Sequence, residues 1–217
     1  MRFVKPSYYI LDRGSSPRFD DLRKIIRAYG VCYQSDKDIA NVSGWIQEKV
    51  KTGHESPLEH VSISVDIVCD RAIANELVRH RIASYSQEST RYCNYSKDKF
   101  GNELTFIQPP WYDINPELTK VFYDAMSEAE AKYFEMLENG AKPEEARAVL
   151  PLGLKTEIIT TANLREWRHI FQLRAADMTG KAHPQIKEIM VPLLKEFIKM
   201  YPGVFDDILE YMIEKGE

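Results

Sequence analysis

His60-Val61-Ser62-Ile63-Ser64-Val65-Asp66-Ile67 places four β-branched apolar residues at every second position between polar ones. A period of two predicts a half-buried strand, with one face on a core and the other toward water. Just beyond it, Asp70 is placed to cap a helix over residues 71–81. That helix would close on Arg79-His80-Arg81, and cations in a last turn complement the helix dipole by about 0.3–1 kcal/mol each. The dipole accounts for one or two basic residues and says nothing about the segment that follows. From Arg79 to Ser96 the chain has no glycine, a single acid (Glu88), a third arginine (Arg91) and the hydroxyls of Ser84, Tyr85, Ser86, Ser89, Thr90, Tyr92, Tyr95 and Ser96. A guanidinium presents five donors in a planar fork that matches phosphate. In a chain with 29 Lys+Arg against 33 Asp+Glu, this stretch reads as a seat for an anionic ligand.

Working outward, Ser16-Pro17 predicts the start of a helix closed by Gly30, with Phe19, Leu22, Ile26 and Tyr29 as its apolar stripe. A second helix is expected from Asp36 to Thr52, with Ser35 and Asp38 as a capping box, Gly53 at its end, and Ile39, Val42, Ile46 and Val50 on its buried face. Leu104 to Gln108 reads as a strand stopped by Pro109-Pro110. A long helix runs from Asn115-Pro116 to Asn139-Gly140, and a short one from Pro143 to Leu150. Residues 154–162, rich in isoleucine and threonine, favour a strand. Asn163 then caps a helix to about Ala176, and helices follow over 184–200 and 202–215. The sum is an α+β fold: one helix-rich domain over 1–217 with a small, mainly antiparallel sheet.

Composition narrows the function. A chain of 217 residues, 44% hydrophobic and 29% charged, has enough material for a real core. The net charge of −4 argues against a nucleic-acid binder. No stretch reaches the ~20 apolar residues of a membrane span, and Met1 to Pro6 lacks the apolar core of a signal peptide. Cys32, Cys69 and Cys93 are odd in number and form no C-x-x-C, which points to a reducing cytoplasm. The ten glycines form neither G-x-G-x-x-G nor a P-loop, so a dinucleotide would be held by side chains, a role open to Arg79 and Arg81.

His54 and His60 stand six apart with Pro57 between them, which is not the four-residue spacing of a zinc-protease helix, and no metal is expected. Arg147, next to Glu144 and Glu145, reads as a helix arginine in a pair worth about 0.2–0.5 kcal/mol. Asn163, Arg165, His169 and Arg174 share a helix with Glu166 and Arg168 that reads as a charged surface. Ser89 has no adjacent base and Cys93 no activating partner, so neither is a nucleophile.

The string R-H-R-I-A-S-Y-S-Q-E-S-T-R-Y (79–92) resembles the signature of the flavin-dependent thymidylate synthases. H-E-S-P-L-E-H (54–60), A-R-A-V-L-P-L-G-L (146–154) and T-A-N-L-R-E-W-R-H-I-F-Q-L-R (161–174) resemble further regions of that family. The resemblance implies reductive methylation of dUMP to dTMP, with methylenetetrahydrofolate as carbon donor and NADPH-reduced FAD as hydride source, in a homotetramer with sites at subunit interfaces. It implies that Ser89, Arg91 and Arg147 hold the dUMP phosphate and that Gln87 orients the substrate. Glu76, Glu88 and Thr90 complete the dUMP set, and Arg174 meets the uracil base as the residue most needed for chemistry. It implies FAD contacts from Ser56, Glu59, Arg79, His80, Arg81, Asn163, Arg165 and His169, with His54 and Tyr92 near the folate. The chain departs from the family at Glu76, where relatives more often carry glutamine, and in the stretch after Arg174. Two alternatives stand beside the enzyme: a nucleotide- or flavin-binding protein without turnover, favoured by Glu76, and a nucleic-acid module built on Arg79-His80-Arg81.

Overall fold

The computed structural model describes residues 1–12, 14, 17–32, 34–35 and 39–216. In chain order the elements are β1 (Arg2–Val4), β2 (Ser7–Ile10), α1 (Phe19–Cys32), α2 (Val42–Lys51), β3 (Ser62–Asp70), α3 (Arg71–Leu77), β4 (Ala83–Gln87), β5 (Thr105–Ile107), α4 (Pro116–Glu138), α5 (Pro143–Ala146), β6 (Lys155–Asn163), α6 (Leu164–Arg174), α7 (Pro184–Met200) and α8 (Asp206–Glu214). Short 3-10 turns occupy Ser56–His60, Asp98–Phe100 and Arg147–Val149. The fold is α+β, as expected, with a small and mostly antiparallel sheet. Four strands lie in the order β2-β3-β6-β4, while β1 and β5 form a separate parallel pair with Phe3 opposite Phe106.

The chain divides into two compact units. The first comprises Met1–Tyr8, Asp66–Arg79 and Tyr85–Ile159, and the second Tyr9–Val65, His80–Ser84 and Thr160–Glu217. In the first unit, Tyr95, Leu104, Phe106, Met126, Tyr133, Ala146 and Leu154 form a buried cluster under the β1–β5 pair and α4. Its outer aromatics continue through Phe3, whose ring lies 5.9 Å from those of Phe106 and Phe122. In the second unit, Trp167 and Phe171 of α6 pack on Phe197 of α7 with centroids 5.2 Å apart, and Phe205 closes the cluster. Burial of such rings is the main stabilising term, with edge-to-face geometry adding about 0.5–1.5 kcal/mol per pair. Trp167 also donates its indole N–H to the Ile63 carbonyl at 3.0 Å, which anchors α6 to β3.

Several expectations hold. β3 alternates as read, with Ile63, Val65 and Ile67 fully buried. Asp70 caps α3 by accepting from the Ile73 amide at 2.7 Å, Asn115 caps α4 from Leu118, and Asn163 caps α6 from Glu166. Others are corrected. α3 stops at Leu77, so Arg79-His80-Arg81 lies beyond the helix and not in its last turn. α1 continues through Gly30 to Cys32. Gly30 is small for another reason: a Cβ there would meet the Ser35 carbonyl oxygen at 2.5 Å, where the chain doubles back. α2 begins at Val42 under an Asn41 cap, not at Asp36. The last helix begins at Asp206, four residues after Pro202. The proposed Ser16 cap and the Asp38 half of the capping box lie outside the described residues. Strands β1, β2 and β4 are further elements, short and partly exposed, that no alternation in the sequence marks. No helix among the described residues is long and apolar enough to cross a membrane.

Candidate functional site

Each unit gathers part of the candidate set. In the first unit, Arg91 follows β4 and lies exposed, its Nε donating to the Glu144 carboxylate at 2.9 Å. Arg147 donates its Nε to the backbone carbonyl of the same Glu144 at 3.2 Å. The pair beside Arg91 holds the Glu144 carboxyl below its usual range. Two of the three expected phosphate ligands therefore meet at one residue, 56 positions apart in sequence for Arg91 and Arg147. Ser89 accepts the Arg91 amide at 3.2 Å, a local turn that fixes this segment.

Gln87 is exposed and donates to Thr156 of β6 at 3.2 Å. Glu88 points inward, where its carboxylate accepts from the Tyr95 hydroxyl at 2.7 Å and from Lys155 at 3.0 Å. Burial and that carboxylate together push the Tyr95 phenol far above its usual range. The Glu88 side chain is thus engaged in the fold. Thr90 is buried, Glu76 is half-buried on α3, and Tyr92 is 77% exposed with the Arg91 guanidinium 5.5 Å from its ring. A cavity of about 600 Å³ in this unit is lined by Gln87, Glu88, Tyr95, Lys155 and Glu157 among others.

In the second unit, α6 is the organising element. Its sequence carries charges at Arg165, Glu166, Arg168, His169 and Arg174, and the structure sorts them into two sets. Arg165 and His169 are exposed. Arg165 pairs with Glu59 of the 56–60 turn at 2.6 Å and lies 3.7 Å from Glu55. Glu166 and Arg168 are buried, so the helix is not a charged surface on that side. Arg168 forks onto both oxygens of Asp207 at 2.7 and 2.8 Å, reaches Glu55 at 3.0 Å, and also donates to the Val204 carbonyl. Its burial is tolerable because every nitrogen finds an acceptor. His54 and Ser56 are exposed on the adjoining loop.

His80 leaves the surface and turns into this unit, 4% exposed. Its Nε2 accepts from Arg174 Nε at 3.2 Å, and its Nδ1 stands 3.5 Å from a Glu166 carboxylate oxygen. The His169 ring lies edge-on at 5.6 Å. Burial first, then the cations of Arg174 and His169, press the His80 pKa down to about 4. Burial raises the Glu166 carboxyl. His80 is therefore a neutral imidazole, buried against α6 beside the exposed Arg81. Arg81 of this unit is exposed and, among the described residues, makes no ion pair, and the same holds for Arg79 in the first unit. Exposed, unneutralised guanidinia fit a diphosphate, and Asn163, whose Oδ1 caps α6, keeps its amide N–H groups as donors. Within the second unit, Arg81 and Asn163 thus offer donors of the kind that the phosphates of a flavin nucleotide would need.

Neither Glu166 nor Arg168 was singled out from the sequence as more than surface charge. Their signal was weak: Trp167, Ile170 and Phe171 make that face of α6 apolar, and a charge beside them is a buried charge.

The Thymidylate synthase complementing protein family matches residues 18–203. A flavin-dependent thymidylate synthase of Pyrococcus furiosus is 39% identical over 148 residues, covering 68% of this chain and 59% of that protein. One of Mycolicibacterium vanbaalenii is 33% identical over 205 residues, covering 85% of this chain and 78% of that one. The match thus spans somewhat under two thirds of the length of the Pyrococcus relative. Among solved structures, the UMP/dUMP methylase PolB of Streptomyces cacaoi, bound with 5-Br dUMP, superposes with a TM-score of 0.80 over 97% of this chain and 98% of its own at 21% identity, which shows the shared fold. With the family pattern covering most of its length and its motifs in order, the chain belongs to the flavin-dependent thymidylate synthase family.

Proposed function

We propose that the protein methylates dUMP reductively to dTMP. When bound, FAD reduced by NADPH supplies the hydride, and methylenetetrahydrofolate supplies the carbon. The observation that carries this reading is the meeting of His80 with Arg174, 94 positions apart in sequence, at 3.2 Å. It joins the arginine-rich signature to the arginine that the family resemblance assigns to the base. Arg174 presents a guanidinium to the uracil ring, where it stabilises negative charge as it develops on the carbonyl oxygens. Arg91, Arg147 and Ser89 hold the phosphate, with Glu144 yielding or sharing its place beside Arg91. Gln87, Glu76, Glu88 and Thr90 shape the rest of the dUMP contact. Arg79, His80, Arg81, Asn163, Arg165, Ser56, Glu59 and His169 hold the flavin nucleotide, and His54 and Tyr92 flank the folate. The chain supplies position and electrostatics, and the cofactor supplies the difficult chemistry.

The homotetramer expected from the family is part of this proposal. Ile114, Leu118 and Val121, on and just before α4, are 79%, 48% and 69% exposed, which suits burial against further copies. The reading of 1–217 as one working domain is part of the same proposal. Cys32, Cys69 and Cys93 are all free thiols, in keeping with a cytoplasmic setting.

The test is dTMP formation from dUMP with FAD, NADPH and methylenetetrahydrofolate, comparing the parent with Arg174→Ala. The parent forms product, and the variant falls by about 100-fold or more in kcat. A folded, flavin-loaded parent that binds dUMP and forms no dTMP would leave a binding protein.

A further inference from the structure

We propose that Glu88 is a positioning residue for the substrate, fastening the segment that carries Gln87, Ser89 and Arg91 so that those three side chains meet dUMP in a fixed arrangement. The proposal rests on the reading of those residues as dUMP contacts.

By composition Glu88 is out of place. It is the single acid between Arg79 and Ser96, in a stretch that reads as a seat for an anion. A free carboxylate there would oppose a phosphate, because like charges at close range disfavour one another. The fold removes that conflict. The Glu88 side chain is 13% exposed, and each carboxylate oxygen has its own donor. Oε1 accepts from the Tyr95 hydroxyl at 2.7 Å, and Oε2 from Lys155 Nζ at 3.0 Å. The backbone of the same residue is held as well. Its amide donates to the Glu157 carbonyl of β6 at 2.8 Å, and its carbonyl accepts from Arg71 Nη2 of α3 at 3.0 Å. These bonds run from one residue to three separate parts of the first unit: β6, α3 and the turn at Tyr95.

The anchors are themselves fixed. Tyr95 is buried, with its ring 5.2 Å from that of Phe100 and 5.8 Å from that of Tyr133. Burial and the Glu88 carboxylate both keep its phenol in the protonated, donating form. Lys155 is half-buried, which opposes its charge, yet its bonds to Glu88 and Glu157 outweigh the burial and raise its pKa. The Arg71 amide donates to the Leu152 and Leu154 carbonyls at 3.0 and 3.2 Å, which ties the start of α3 to the segment after Arg147.

Gln87 and Ser89 are the chain neighbours of Glu88. A residue held at its amide, its carbonyl and both carboxylate oxygens fixes the peptide planes on either side of it, and with them the directions in which its neighbours' side chains leave the backbone. Beyond Ser89 the geometry is local. The Ser89 hydroxyl accepts from the Arg91 amide at 3.2 Å, and its carbonyl accepts from the Cys93 amide at 2.9 Å. A shift at Glu88 therefore carries to Arg91. Holding contact groups in place before the ligand arrives lowers the ordering cost of binding, so loosening them shows first in affinity for dUMP.

An acid that merely stabilises the fold makes different demands. Glu88→Leu keeps a branched side chain of similar bulk and removes both acceptors, while Tyr95→Phe keeps the ring and removes one donor. In the flavin-loaded enzyme, Glu88→Leu is expected to raise KM for dUMP about 10-fold, with the loss falling on KM more than on kcat. Tyr95→Phe raises it about 3-fold, and adds under about 1.5-fold in the Glu88→Leu background, because its acceptor is already gone. Glu88→Gln keeps an oxygen for Tyr95 and stays within about 3-fold of the parent. FAD affinity, measured by flavin fluorescence, holds within about 2-fold in each variant when the damage is local. Hydrogen exchange read by mass spectrometry needs no turnover: amides of residues 87–92 exchange about 10-fold faster in Glu88→Leu, and those of α4 do not. Should Glu88→Leu fail to fold, Tyr95→Phe carries both readings, since its ring still fills the core.

Parent KM and parent exchange in the variants overturn the inference and leave the function standing. Losses at 88 and 95 that multiply, or a loss of FAD affinity equal to the loss for dUMP, overturn it in the same way. A flavin-loaded parent that binds no dUMP and forms no dTMP overturns the functional reading, and the inference with it, before any substitution is made.

Discussion

Replacing Arg168 by methionine keeps the length of the side chain and removes the charge that two acids depend on. Arg168 is 3% exposed, while Asp207 and Glu55 keep 25% and 23% of their side chains in contact with solvent. Removing one member of a buried ion set costs about 3–5 kcal/mol, because the partners remain as uncompensated charge. Partial hydration of both acids places this case at the low end, about 3 kcal/mol, including the orphaned Val204 carbonyl. For a chain of this size, that lowers Tm by about 6–12 °C. The assay is thermal and urea unfolding at fixed protein concentration, since assembly would otherwise shift the midpoint. The triple variant Arg168→Met, Glu55→Gln, Asp207→Asn removes the stranded charges and should recover to within about 1–2 kcal/mol of the parent. Loss of under 1 kcal/mol in Arg168→Met alone, or a triple variant no better than the single one, would refute the idea that a buried ion set anchors α6.

Three further outcomes are expected. The His80 pKa falls from 6.5 in the unfolded chain to about 4 in the folded one, so between those values the unfolded state binds more protons and stability declines as pH falls through that window, by up to about 3 kcal/mol at pH 4. Glu166, raised by burial, acts in the opposite sense, so urea midpoints at pH 7 and pH 4.5 should be compared between the parent and His80→Gln, whose pH slope is shallower; equal slopes would contradict the assignment. Gly203→Ala places a Cβ 2.2 Å from the Ser43 carbonyl oxygen at φ +89°, and a loss above about 2 kcal/mol in urea unfolding is expected, with an unchanged midpoint as the contrary result. Glu144→Ala removes the carboxylate beside Arg91, and dUMP affinity measured by calorimetry should rise a few-fold and become less salt-tolerant; a fall in affinity would mean that Glu144 orients Arg91 and does not compete with the phosphate.

How far the sequence could be read depended on whether side chains carried the signal. β3 was legible because Val61, Ile63, Val65 and Ile67 alternate, and α4, α6 and α7 because Asn115, Asn163 and the His183-Pro184 start mark their first turns. β4 was not, because Ala83–Gln87 has no apolar alternation and is mostly exposed. Its pairing comes from backbone bonding, which leaves no trace in composition. α3 was read four residues too long because nothing between Leu77 and Ile82 breaks a helix. The candidate residues come as a set from the family resemblance, and what the sequence does not carry is where each side chain lies in the fold. His80 looks like its arginine neighbours in sequence, and only the fold turns it inward toward Glu166 and Arg174. Arg168 and Glu166 read as surface charge because their partners, on α8 and in the segment at 80, are distant in sequence.

The most direct test follows the carbon. Methylenetetrahydrofolate labelled with ¹³C in the methylene group is supplied with dUMP, FAD and NADPH, and the nucleotide is analysed by mass spectrometry. The label is expected in the 5-methyl group of dTMP, with formation abolished by omission of NADPH and strongly reduced in Arg174→Ala. NADPH oxidation by the flavin-loaded protein with no label entering the nucleotide would contradict it.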